Sequence, residues 1–248
     1  MIELDASGWA LLGCAAVIVG ASKTMLPGAA TLAVALFAAV LPARESTAAL
    51  LILLIVGDLF AIWMYRKTVD WTILRRLIWP VIIGVAVGTV FLGAASDGAV
   101  RRVIGVILLA LLGFTLWRRR RARTVQEREP KPGRLAGYGF GSLGGFTTMV
   151  ANAGGPVMSM YLLAMRLPVT TFLGTTAYFF FTVNVSKIPF HIGLGLLNWE
   201  VFLISATLIP MVVVAAFIGR WFAGRISQKL FERLVLVLTA VGAVNLLL

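Results

Sequence analysis

The sequence predicts an all-α integral membrane fold made of two inverted-topology repeats, each a broken or re-entrant helical hairpin followed by three transmembrane helices. Three observations predict it: an apolar composition, a succession of bilayer-length apolar stretches, and a duplicated order of landmarks whose cations sort to one side. Of the 248 residues, 60% are hydrophobic and 13% charged, with a mean hydropathy of +0.97. Soluble domains carry about a quarter charged residues. A soluble core cannot absorb that much apolar surface, so lipid is the solvent in which the chain is to be read.

The net charge of +12 would suggest nucleic acid if the protein were soluble. Here most cations lie between apolar runs, where Lys and Arg mark cytoplasmic loops, and no nucleic-acid partner is expected. Cys14 and His191 are the only residues of their kinds, which excludes internal disulfides, thiolate clusters, most metal sites and catalytic triads. No cofactor and no metal are expected. The N-terminal MIELDASGW lacks the basic region of a signal peptide, and the apolar run behind it is too long for a cleaved one, so it reads as part of the mature fold.

Turn residues and charges divide the chain into apolar stretches at 8–41, 46–65, 73–95, 100–117, 135–165, 170–190, 200–219 and 230–248. Six approach the ~20 residues that cross a bilayer as a helix. The other two, 8–41 and 135–165, are longer and interrupted by Gly, Pro, Ser, Thr and Asn. Halved, each gives arms of about 14 residues reaching about 21 Å, short of a hydrocarbon core of about 30 Å. Two such arms meet at a tip inside the membrane. Residues 118–134, within WRRRRARTVQEREPKPGR, read as a basic cytoplasmic linker between repeat 1 (1–117) and repeat 2 (135–248).

The halves align on shared landmarks. Leu41-Pro42 matches Leu167-Pro168, Asp58 falls on Asn184, and Pro80 falls near Pro210. Gly88, Gly93, Ser96 and Arg102 match Gly219, Gly224, Ser227 and Arg233 at one constant offset. Inverted halves put 17 cations on the cytoplasmic side against three outside, with Lys23 and Lys187 set aside as intramembrane candidates. Parallel halves give 12 against eight. The positive-inside rule therefore selects inversion, an architecture that holds substrate near the midplane between discontinuous helices.

The two tips read GASKTMLPGAAT and GGFTTMVANAGGPV. A backbone break is tolerated in a bilayer only where it is buried in protein or lines a wet cavity. Half-helices starting near Gly28 and near Gly154-Gly155 present unpaired N–H groups and a positive dipole end, which suit an anion. Ser22 and Thr24 at the first tip, and Thr147, Thr148 and Asn152 at the second, can donate to an oxyanion. The competing structural reading is that the glycines only allow close helix packing and that each hydroxyl bonds back to its own helix. A second polar belt follows, with Ser46 and Thr47, then Thr175, Thr176 and Asn184. Ionisable residues inside a membrane default to functional hypotheses. Lys23 makes the site electrically asymmetric, Lys187 attracts an anion or snorkels to the interface, and Asp58, the coupling candidate, either carries a coupling proton or pairs with a cation.

Other signals carry less. Gly139, Gly141 and Gly144 form a GxGxxG without a preceding strand, whereas Gly137, Gly141 and Gly145 form a helix-packing face. His191 reads as an interfacial residue, Arg118–Arg121 as an anchor on the anionic leaflet, and the tryptophans at span ends as an aromatic belt. No HExxH, GxSxG or paired catalytic aspartates occur, so an enzyme is not expected.

The duplicated order of glycine-rich break, Leu-Pro with a small polar run (LPARESTAALL, LPVTTFLGTTAYF) and a span ending in NVSKIPFH, with GGFTTMVANAGGP as its most telling segment, resembles the sulfite exporter TauE/SafE family of membrane permeases. The likeness covers nearly the whole chain. Ser22-Lys23-Thr24 stands where the family's first half is richer in glycine. The resemblance implies export of a small anion such as sulfite, sulfoacetate or another organosulfonate by a multi-pass protein of the inner or plasma membrane. A passive anion channel and a transporter of small carboxylates remain alternatives. Expected partners are the small anion and the lipid bilayer, with a homodimer left open.

Overall fold

The computed structural model describes residues 4–25, 30–122, 133–165 and 167–222. Regular structure among them is entirely helical: α1 (Ala6–Met25), α2 (Ala30–Val40), α3 (Ala43–Tyr65), α4 (Trp71–Ala94), α5 (Asp97–Ala122), α6 (Arg134–Ala151), α7 (Gly154–Ala164), α8 (Val169–Gly193) and α9 (Trp199–Phe222). Four stretches among the described residues are long and apolar enough to cross a membrane: Ala6–Lys23, Ala43–Tyr65, Trp71–Ala94 and Trp199–Gly219. The predicted last span, 230–248, lies outside the described residues.

Local chemistry sets the helix ends. Asp5 opens α1, its Oδ1 accepting from Gly8 N at 2.8 Å. Asp70 caps α4 by accepting from Thr72 N and Ile73 N, and Asn198 opens α9 by accepting from Val201 N at 2.9 Å. Each satisfies first-turn N–H groups that have no partner inside the helix. The two Leu-Pro pairs do the same job twice. Pro42 (φ −51°, ψ 136°) and Pro168 (φ −53°, ψ 145°) hold extended backbone immediately before α3 and α8, because proline fixes φ and pushes the residue before it away from the helical region.

The broken stretches differ from equal 14-residue arms. The first arms have 20 residues in α1 and 18 in α6, and the second arms, α2 and α7, have 11 each. At 1.5 Å per residue α1 reaches about 30 Å, enough to cross, whereas α7 reaches about 16 Å. In the second stretch the break therefore sits at residues 152–153, past the middle. The basic run also departs from a linker at its start, because α5 continues to Ala122 and carries Arg118–Arg121 as helix.

Helices α3 and α8 pack against each other with reversed chain direction. Asp58 meets Asn184, while Thr68 and Asp70, just past α3, meet Thr170 and Thr175 at the start of α8. The other end of α3 lies beside the α4–α5 turn, where Arg44 N donates to Asp97 Oδ1 at 3.0 Å. Helix α1 packs along α9 and α4 along α6, with α2 against α1 and α3, and α7 against α6 and α8.

Small residues allow the closest of these pairings. A Cβ on Gly20 would strike the Val212 carbonyl and Ala215, and one on Gly145 would strike the Val81 carbonyl and Gly84. Gly141 lies against Pro80, so the Gly141 and Gly145 face packs helix on helix as its spacing predicted. Without water to drive apolar association, such backbone-level contact is a main source of helix pairing in lipid.

Candidate functional site

Where α3 and α8 pass the two breaks, a cavity opens with about 50 Å³ for water-sized molecules, room for a few waters or one small solute. Its polar lining comes from both halves: Ser22, Lys23, Thr31 and Asp58 from the first, and Thr148, Asn152, Thr176 and Asn184 from the second. Ala30 at the start of α2, and Gly155 and Pro156 at the start of α7, also line it. The short arm α7 thus begins at the cavity. Backbone N–H groups of a first helical turn lack partners within the helix and carry the positive dipole end.

The charges are arranged around Asp58, which is buried. Lys23 Nζ donates to its Oδ1 at 2.5 Å, and Asn184 Nδ2 donates to its Oδ2 at 2.7 Å. Lys23 keeps 13% of its side chain exposed and also stands 5.1 Å from the Phe180 ring centroid, a favourable cation–π placement. The pair holds two of the cavity's strongest donors on an internal carboxylate. Behind the cavity wall lies Lys187, fully buried, whose Nζ donates to Asn152 Oδ1 at 2.6 Å and to Thr148 O and Oγ1 at 2.8 and 3.3 Å. Lys23, Asp58 and Lys187 are thus the ionisable groups gathered at and behind the cavity wall.

Two further groups face the cavity unsatisfied. Thr176 Oγ1 and Asn184 Oδ1 are buried without a hydrogen-bond partner, and buried polar groups normally have one. A solute in the cavity is the direct way to satisfy them. Thr148 Oγ1 accepts from Lys187, which leaves its own hydrogen for a solute on the other side.

Of the residues singled out from sequence, Ser22, Lys23, Asp58, Thr148, Asn152, Gly155, Thr176 and Asn184 line the cavity. Gly28 and the Thr24 side chain lie outside what the structure describes. Ser46, Thr47, Thr147, Gly154, Thr175 and Lys187 are not among the lining residues. Ser46 Oγ donates to Ala43 O, Thr47 Oγ1 to Arg44 O and Thr147 Oγ1 to Leu143 O, the local back-bonding that competes with any substrate role. Thr175 Oγ1 accepts from Asp70 N, tying α8 to the start of α4. Gly154 allows close approach, since a Cβ there would crowd Thr148.

His191 corrects an expectation. It is fully buried inside α8, with neither ring nitrogen hydrogen-bonded, rather than interfacial. The helix runs through Pro189 to Gly193 and so carries His191 inward. Sequence reasoning missed Leu54, Ala61, Leu173, Ala177 and Phe180 of the lining. They are apolar residues in apolar spans, and nothing in their spacing marks them.

A permease-like cavity between two broken hairpins agrees with the comparison against protein families. The model for the sulfite exporter TauE/SafE matches residues 12–246. The chain belongs to the TauE/SafE sulfite exporter family. It is accordingly a multi-pass membrane protein of a transporter family, not of an enzyme family. No curated protein and no solved structure gives a match. The match includes both halves and both breaks, so the TauE/SafE assignment and the cavity concern the same residues.

Proposed function

We propose that this TauE/SafE protein is a secondary transporter that carries a small anion, such as sulfite, sulfoacetate or another organosulfonate, out across the inner or plasma membrane. The observation that carries this reading is the joining of the α7 helix start, the Lys23 ammonium and the Thr148 and Thr176 hydroxyls at one cavity. Each is a donor or a positive end, and an oxyanion satisfies several at once. The inside-negative potential favours outward movement of a monovalent anion by about 2.3 kcal/mol per 100 mV, so export needs no obligatory coupling ion.

Inversion of the halves is supported by how helix pairs exchange. Swapping halves turns α1 against α9 into α6 against α4, and both pairings occur. Val81 and Gly84 stand 131 residues before Val212 and Ala215, the spacing of Gly88 and Gly219. Gly145 packs on the first pair of these residues as Gly20 packs on the second. The reversed direction of α3 and α8 supports the same relation.

In this reading Asp58 is the internal competitor of the substrate. Its carboxylate holds Lys23 and Asn184 when the cavity lacks an anion, and protonation releases both, so a proton on Asp58 favours anion binding without being obligatory for export. The test is flux of sulfite, organosulfonates and small carboxylates in proteoliposomes, comparing wild type with Asp58→Asn across a pH gradient. Saturating wild-type flux that loses its pH-gradient response in Asp58→Asn supports the reading. An unaltered response removes Asp58 from coupling, and unitary currents would identify an anion channel instead.

A further inference from the structure

We propose that the break between α6 and α7 is a monovalent-cation site which the protein fills with its own Lys187 ammonium. This stands whether or not the neighbouring cavity takes an anion. An ammonium has three N–H donors, and here three oxygens receive them: Asn152 Oδ1 at 2.6 Å, Thr148 O at 2.8 Å and Thr148 Oγ1 at 3.3 Å. The oxygens belong to the last turn of α6 and its cap, the negative end of that helix dipole.

The cage is built rather than incidental. Asn152 is the only non-glycine residue with positive φ among the described residues, at 49°, a left-handed conformation that asparagine tolerates better than most. Its Nδ2 donates to Thr47 O on α3 at 2.8 Å, which turns Oδ1 toward Lys187. Thr148 O also accepts from Asn152 N at 3.0 Å, so both its lone pairs are used. Lys187 is fully buried. An ammonium at that depth persists only because its donors are matched.

Discontinuous helices that end in the membrane commonly use such carbonyls to hold a free coupling cation. Here the cation is tethered, and in one half only: at the 126-residue spacing that relates Asp58 to Asn184, Lys187 corresponds to Ala61. The wild-type protein therefore takes no Na⁺ or K⁺ at this break, and shortening Lys187 opens a site for a small ammonium ion.

The experiment is thermal unfolding of the purified full chain in detergent, followed by tryptophan fluorescence, in chloride salts of choline, Na⁺, K⁺ and methylammonium at fixed ionic strength. Wild type is expected to melt at the same temperature in all four. Lys187→Ala is expected to melt lower in choline and to regain most of the lost Tm with saturating methylammonium. Adding Asn152→Ala should abolish the rescue. A folded Lys187→Ala that ignores every cation, or rescue that survives loss of Asn152, overturns the proposal. Lys187→Met fills the space without charge and guards against an Ala variant that fails to fold. It should melt lower than wild type and stay insensitive to methylammonium, and wild-type stability in Lys187→Met would equally contradict the cage.

Discussion

Thr148 shows how one residue joins two functions. Its carbonyl and hydroxyl oxygens receive the buried Lys187 ammonium, and its hydroxyl hydrogen is left for the cavity it lines. Thr148→Val keeps the shape and removes the hydroxyl. A hydrogen bond to a charged group is worth about 1.5–3 kcal/mol, so anion affinity should fall roughly tenfold to a hundredfold in a binding titration. Asp58→Asn should act in the opposite sense. With the competing charge gone, Lys23 is released and anion affinity should rise about tenfold. At this scale the sequence was partly legible. Buried ionisable residues in apolar spans are conspicuous, and Lys23 and Asp58 were found that way. Hydroxyls were not separable: Thr147 and Thr148 are adjacent, yet Thr147 Oγ1 bonds its own helix, and only backbone direction decides which of two neighbours faces a cavity.

Among elements, the close glycine contacts carry the pairing of α1 with α9 and of α4 with α6. Gly20→Ala and Gly145→Ala each place a methyl group against a backbone carbonyl, of Val212 and Val81 respectively. Overpacking of this kind costs about 1–3 kcal/mol. Both variants should therefore unfold several degrees below wild type in a detergent melt. Gly113→Ala, in a helix with open space around that position, should unfold at or slightly above wild type, since Ala is the better helix former. The helix boundaries followed from charges, Leu-Pro pairs and capping residues, which place both ends of α3, α4 and α8 and the start of α9. The unequal arms did not follow. Residues 8–41 contain one cation and no anion, Lys23, so no charge marks where the chain reverses. The end of α2 at Val40 is set by where Pro42 can start α3.

For the whole molecule, the proposed inversion of the halves makes a prediction about sides. In a Cys14→Ala background, Gly193→Cys at the end of α8 and Lys67→Cys after α3 are both exposed positions. An impermeant thiol reagent added outside intact cells should label Gly193→Cys and spare Lys67→Cys. Labelling of both or of the opposite one contradicts the topology. The sequence speaks to orientation through cations that sort by side, and to duplication through landmarks that recur in the same order. The cavity was not legible as a volume: six of its sixteen described lining residues are alanine, leucine or phenylalanine, and the antiparallel crossing of α3 and α8 brings most of those residues to the cavity.

The central claim is a saturable anion site between the two breaks, and calorimetric titration of the purified protein with sulfite, organosulfonates and small carboxylates tests it most directly. One or more of these anions should bind wild type at a single site and bind Thr148→Val at least tenfold more weakly. Absence of binding by every anion in the set, or equal affinity in wild type and Thr148→Val, would contradict the account.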